Sequence, residues 1–297
     1  MKTKILGTGF SGMVGSRIVE KLWEKYDFEN LSLEKGIDIT DRQRVFEKVN
    51  QFKGEWVLHL AAKAGVDDCE KDKELGKDGD AWKVNVLGTQ NLADSCSATE
   101  KKIIYVSTDF VFDGENPPTD GYSEEDTPNP INWYARTKYE GERIVQKMGG
   151  NWLICRLAFP YRAKFVPKKD FVRAILSLLE KKEKVEAVSD QVITPTFIDD
   201  IANALDRLME AHAQGIYHVV GSQSLTPYEA TRLIAQKFDQ DENLIVGVKR
   251  QNYFAGRAER PFKLVLRNDN IEKLGVRMRT FSEGLEEVER QLKARDL

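Results

Sequence analysis

Gly7, Gly9, Gly12 and Gly15 fall between an apolar run, KILGTG, and an amphipathic segment, GMVGSRIVEKLWEKY. Gly9, Gly12 and Gly15 are spaced GxxGxxG. In a strand–turn–helix unit the first glycine permits a tight turn, and the second lets the backbone approach a pyrophosphate. The third lets the helix pack close to the strand. The helix N-terminus then presents free N–H groups to phosphate. A bare structural turn could use the same spacing. The strand before it, the helix after it and its place at the head of an alternating chain favour a dinucleotide site.

That alternation continues. Val14, Ile18 and Leu22 mark one buried helix face. NLSLE (30–34) reads as the second strand, TDRQRVFEKV as a helix with Thr40 as N-cap, and EWVLHLAA as the third strand. DAWKVNVLGTQNLADSC, KKIIYVST, INWYARTKYEGERIVQKM and NWLICRLA continue the series as helix, strand, helix, strand. The expected fold is therefore α/β: a Rossmann-type, doubly wound parallel sheet with a smaller C-terminal α/β lobe for substrate. The expected division is a dinucleotide-binding domain over 1–158, with a return to it around 185–220, and a substrate lobe over 159–297.

The chain has 297 residues, 41% hydrophobic and 31% charged, a net charge of −3 and a pI near 5.8, enough for a full core and unsuited to a polyanion. Lys181, Lys182 and Lys184 alternate with Glu180 and Glu183, as a solvated helix end does. Cys69, Cys96 and Cys155 are odd in number and far apart, and there are three His, so neither a disulfide framework nor a metal site is expected. No apolar signal core or membrane-length run is present. The expectation is a cytoplasmic protein with no nucleic-acid or membrane partner.

An acid near the end of the second strand would bind the adenosine ribose. Glu34, nineteen residues after Gly15, and Asp38 are the candidates. Either would repel a 2′-phosphate, which favours NAD slightly, while Lys35 keeps NADP open. Tyr134 and Lys138 lie four apart on one helix face. An ammonium beside the phenol would lower its pKa from about 10. Tyr134 could then exchange a proton with a carbonyl or alcohol oxygen while hydride moves to or from a nicotinamide. Lys138 could also hold the nicotinamide ribose. Thr108, at the C-terminal end of a parallel strand, could hydrogen-bond the same oxygen.

With VSTDFVFDG, GIDITD, HLAAKAGVDDCE, VNVLGTQNL, YARTKYEGE and DQVITPTFIDDIA in order, the chain resembles the extended short-chain dehydrogenase/reductases. Among them it is most similar to the dTDP-4-dehydrorhamnose reductases. The resemblance implies a nucleotide-sugar substrate, a 4-keto-6-deoxy sugar, and a catalytic trio of Thr108, Tyr134 and Lys138. It places Gly9, Phe10, Ser11, Gly12, Asp38, Ile39, Ala61, Ala62 and Lys63 along the cofactor, with Asn85 supporting the site. Phe110 after Asp109 departs from the Thr-Asp-Glu of sugar-nucleotide dehydratases, and Asp109 could contact substrate or cap its loop. Ala135 replaces the family's Gly. Arg156-Leu157-Ala158-Phe159 replaces Arg-Thr-Ser-Trp, leaving Phe159 as an aromatic surface for base or sugar or as a core residue. Asp170 replaces Asn and would repel a diphosphate or cap a helix. Arg162, Lys164, Lys168, Lys169, Arg257 and Arg260 are candidate partners for the diphosphate, the last two as an anion clamp. A sugar-nucleotide 4-epimerase and a regulatory subunit like methionine adenosyltransferase β remain alternatives. A homodimer is expected by resemblance, and a divalent ion is left open.

Overall fold

The computed structural model describes residues 2–294. Its strands are β1 (Thr3–Thr8), β2 (Tyr26–Leu31), β3 (Trp56–His59), β4 (Lys102–Thr108), β5 (Trp152–Leu157), β6 (Pro160–Tyr161), β7 (Val185–Val188), β8 (Thr196–Phe197), β9 (Gly215–His218) and β10 (Ile245–Val248). Its helices are α1 (Met13–Leu22), α2 (Arg42–Gln51), α3 (Val66–Lys71), α4 (Asp80–Trp82), α5 (Gly88–Ala98), α6 (Trp133–Gln146), α7 (Phe171–Glu180), α8 (Ile198–Glu210), α9 (Pro227–Lys237), α10 (Arg250–Tyr253), α11 (Asp269–Lys273) and α12 (Phe281–Lys293). A π-helical turn, Lys83–Leu87, joins α4 to α5.

Six strands form one parallel sheet in the order β2-β1-β3-β4-β5-β9. The chain runs outward from β1 to β2, then crosses back to β3 on the other side of β1. That reversal opens a crevice beyond the C-terminal ends of β1 and β3, the place where such sheets bind ligands. Buried side chains on both faces explain the near-continuous apolar strands. One face packs on α1 and α8 through Ile18, Leu22, Ile201 and Leu205. The other packs on α2 and α5 through Val45, Val49, Leu92 and Cys96. The smaller lobe holds two short parallel ladders, β10-β7 and β6-β8, around Tyr161, Phe171, Phe197 and Phe281. The return to the main sheet is made by α8 and β9. Val185–Val188 belongs to the small ladder instead.

Two local expectations are corrected. The second strand is Tyr26–Leu31, earlier than 30–34, and α1 ends at Leu22. This is an edge strand whose Asp27 is exposed between buried Tyr26 and half-buried Phe28, so its charges mask its period of two. Residues Leu33–Lys35 form a 3-10 turn. The N-cap of α2 is Asp41, whose carboxylate accepts from Arg44 N at 3.1 Å. Thr40 is held by Asp38, which accepts from both its N–H and its hydroxyl at 2.8 Å. No described helix is long and apolar enough to cross a membrane, and the described residues hold no cluster of metal-ligating side chains.

Candidate active site

The glycine turn is built as its spacing requires. Gly9 has φ +74°, and a Cβ there would lie 2.7 Å from Ala61 N, so the turn presses on the loop after β3. A Cβ on Gly15 would lie 2.3 Å from Gly9 O, which locks α1 against the turn. Gly12 is the N-cap of α1 and brings no side chain to its first N–H groups. Ser11 and Gly12 are exposed beside them. These open donors and the close backbone form a cradle that suits a diphosphate. Phe10 lies in the turn, but its ring is buried and packs edge-on to Phe28 at 5.3 Å, so only its backbone borders the cradle.

Glu34 sits on the exposed 3-10 turn beyond β2, and exposed Asp38 is occupied by Thr40. The last turn of β2 offers neutral Asn30 and Ser32 instead. The slight lean to NAD rested on an acid near that strand end, and Glu34 and Asp38 both lie on the loop just beyond it. Ile39 is buried against Gly88.

Ala61, Ala62 and Lys63 follow β3 beside the glycine turn. Asn85, buried in the π-helical turn, accepts from Lys63 N at 2.8 Å and donates to Lys63 O at 3.0 Å and to Thr137 Oγ1 at 2.9 Å. It therefore holds the loop from behind through its backbone. The π turn, a feature frequent at functional sites, aims it there.

A cavity of about 290 Å³ lies beyond the ends of β3, β4 and β5 and brings Thr108, Tyr134 and Lys138 to one wall. Asn132 caps α6 by accepting from Ala135 N at 2.9 Å, so Tyr134 and Lys138 occupy its first two turns. Lys138 Nζ donates to Val106 O at 2.7 Å and lies 4.1 Å from the Tyr105 ring centroid. Burial lowers its pKa to about 7, against the opposing pull of Glu142. Burial pushes the Tyr134 phenol well above its usual range, with the Thr108 hydroxyl partly offsetting this. The expected depression by Lys138 is not found: burial dominates, and the one group that lowers the phenol is the Thr108 hydroxyl. Asp109 accepts from Thr108 Oγ1 at 3.0 Å, and burial raises its carboxyl to about 7. Its Oδ2 and the Ser107 hydroxyl, both of residues lining this cavity, are buried without partners in the protein. Such orphaned groups suit a bound polar ligand.

A second cavity of about 760 Å³ adjoins the first and shares Val66, Phe110 and Phe159 with it. Phe159, held at φ +39°, stands between them. Its ring packs near Phe110 and Phe171 while still lining both spaces. Arg260 lines the larger space. Arg257 lies outside its wall, and the charge of both is shared by Asp67. That carboxylate accepts from Arg257 Nε at 2.9 Å and Nη2 at 2.7 Å, and lies 2.7 Å from Arg260 Nη1. The free anion clamp is corrected to a pair already holding a carboxylate. Arg162 is spent on α1, through Met13 O at 3.1 Å and Ser16 Oγ at 2.9 Å. Asp170 is a helix cap, accepting from Arg173 N at 3.1 Å. The sequence reading missed Val66, Phe110, Ser107 and Asp67. Ser107 and Phe110 flank expected site residues in the chain, and Val66 and Asp67 lie within HLAAKAGVDDCE, where no spacing pairs Asp67 with an arginine.

The fold and the site define an extended short-chain dehydrogenase/reductase, an NAD(P)-dependent oxidoreductase. Residues 3–294 match the model of the RmlD substrate binding domain family, and the chain belongs to that family. It is 31% identical over 286 residues to the spore coat polysaccharide biosynthesis protein SpsK of Bacillus subtilis, covering 96% of each. It is 30% identical over 258 residues to the methionine adenosyltransferase 2 subunit beta of Xenopus tropicalis, covering 84% of this chain and 74% of that protein. The crystal structure of a dTDP-4-dehydrorhamnose reductase from Bacillus anthracis in complex with NADP superposes with a TM-score of 0.88 at 29% identity, covering 98% of this chain and 100% of that one.

Proposed function

We propose that this protein reduces the 4-keto group of a nucleotide-linked 6-deoxy sugar, with Tyr134 as proton donor. The observation that carries the reading is the set of Thr108, Tyr134 and Lys138 on the wall of the smaller cavity, where it opens into the larger one. The smaller space suits a nicotinamide and the larger a nucleotide sugar. The diphosphate cradle at Gly9, Ser11 and Gly12 lies at the edge of the same crevice. Bound nicotinamide supplies hydride to the carbonyl carbon.

The remaining chemistry belongs to the chain. A reduction needs a protonated donor at the carbonyl oxygen, and the raised Tyr134 phenol is protonated at neutral pH. Thr108, once its hydroxyl turns from Asp109 to the substrate, donates to the same oxygen and orients it. Lys138, charged in part at neutral pH, stabilises the phenolate left behind and holds the nicotinamide ribose. Asp109, next to Thr108, is near its midpoint at neutral pH and adds a second donor to this wall. Glu29 near the end of β2 is paired with Lys4 at 3.4 Å, and turnover with each cofactor reads the preference between NAD and NADP.

The test is nicotinamide oxidation with dTDP-4-keto-6-deoxy-hexose, using NADH and NADPH in parallel and Tyr134→Phe as control. Turnover that disappears in the variant supports the reading. Absence of turnover in protein that still binds cofactor would overturn it, in favour of another sugar nucleotide or of a binding role.

A further inference from the structure

Beneath the loop 61–63 runs a chain of buried polar side chains that none of the proposed chemistry uses. Ala61 N donates to Thr8 Oγ1 at 3.1 Å. Thr8 Oγ1 lies 2.7 Å from His59 Nδ1, and His59 Nε2 lies 3.0 Å from Thr89 Oγ1. Thr89 Oγ1 donates to Asn85 O at 2.7 Å. The Asn85 amide bonds both polar groups of the Lys63 backbone and donates to Thr137, and Thr137 Oγ1 donates to Tyr134 O at 2.8 Å.

The donors fix the direction. Thr8 accepts from Ala61 and lies 2.7 Å from His59 Nδ1, which in a neutral ring protonated at Nε2 accepts the Thr8 hydroxyl proton. The Thr89 proton goes to Asn85 O, so His59 Nε2 carries the hydrogen and donates to Thr89. The imidazole must be neutral, and its burial beside Lys138 holds it so. Thr8, His59, Asn85, Thr89 and Thr137 are each no more than 1% exposed. Apolar residues of the same shape would fill such positions without desolvating polar groups. What the polar set provides is directional: it ties the loop beside the glycine turn to the first turn of the helix bearing Tyr134 and Lys138.

We propose that His59, with Thr8 and Thr89, is a positioning residue that fixes the cofactor loop and the Tyr134 helix in one register. The inference rests on the proposed roles of that loop and of Tyr134. Thr89→Val, nearly isosteric, strands His59 Nε2–H and removes the side-chain donor to Asn85 O while keeping the packing. The full chain carrying it is measured for NADH and NADPH affinity by fluorescence, for kcat and KM with the 4-keto sugar nucleotide, and for melting temperature. The expected result is a Kd for cofactor raised about tenfold and a kcat lowered about tenfold or more. Thr89→Ser, which keeps the hydroxyl, restores both. Unchanged Kd and kcat with only a lower melting temperature would overturn the proposal, as would a Thr89→Ser as impaired as Thr89→Val.

Nitrogen-15 NMR of His59 in the wild type gives a readout independent of turnover and of whether the variant folds. A neutral Nε2–H tautomer at pH 6 is expected, and an Nδ1–H or charged ring would overturn the relay. If the wild type binds cofactor but reduces no sugar nucleotide, the functional reading fails while the Kd and tautomer results still judge this one.

Discussion

Replacing Asp109 with Asn should stabilise the protein at alkaline pH and do little or nothing comparable in acid. The carboxyl is buried, one oxygen accepts from Thr108 and the other has no partner. Burial raises its pKa from 3.8 to about 7. Below about pH 4 the carboxyl is protonated in both folded and unfolded chains and there is no penalty. Between those values the folded chain binds the extra proton, so stability falls as pH rises. Above about 7 the full penalty applies, about 4 kcal/mol for a shift of this size. Asn cannot ionise, and any loss from its altered hydrogen bonding is the same at every pH. The difference between variant and wild type at pH 8, less that at pH 4, therefore isolates the charge. Urea titrations at the two pH values should show a gain larger by about 2–4 kcal/mol at pH 8. An equal effect at both pH values, or a larger gain in acid, would refute the assignment of a desolvated carboxyl.

Lys138→Met should abolish turnover yet stabilise the apo protein. The ammonium is buried with a pKa near 7 against 10.5 unfolded, so its cost is full below pH 7 and vanishes as pH rises toward 10.5. Denaturation at pH 6 and pH 10 checks that the gain shrinks with rising pH. Gly9→Ala puts a Cβ against Ala61 N at a residue with φ +74°, and should weaken cofactor binding about tenfold, read by fluorescence titration. Asp67→Asn removes the carboxylate that orients Arg257 and Arg260. It should raise KM for the sugar nucleotide about fivefold with cofactor Kd unchanged. A lower KM would mean instead that Asp67 competes with the substrate for those cations.

The main sheet was legible because its strands are short apolar runs between turn signals, and because the glycine turn fixes where the first helix starts. β2 was misplaced because an edge strand carries its own charges: Asp27 and Glu29 hide its alternation, and Tyr26 reads as the end of the first helix. The candidate trio of Thr108, Tyr134 and Lys138 came from one local spacing and one strand end, and the three line one cavity. Its electrostatics were not legible, since the phenol and ammonium shifts depend on burial by Phe110, Tyr105 and Val106 from other elements. Arg257 and Arg260 show the same limit. Their partner Asp67 lies some 190 residues earlier in the chain, and no spacing rule links the two. In the sequence Asp170 is open between repelling a diphosphate and capping a helix, and it caps α7, while Arg162, a candidate diphosphate partner, is tied to α1.

The most direct test of ketone reduction at this site is the fate of a label. Wild-type protein is incubated with the 4-keto sugar nucleotide and nicotinamide cofactor deuterated at C4 on the transferring face, and the product is analysed by mass spectrometry and NMR. Hydride delivery at the smaller cavity predicts one deuterium, at sugar C4, and little or no labelled product formed by Tyr134→Phe. Product without deuterium at C4, or equal label from the Tyr134→Phe variant, would contradict it.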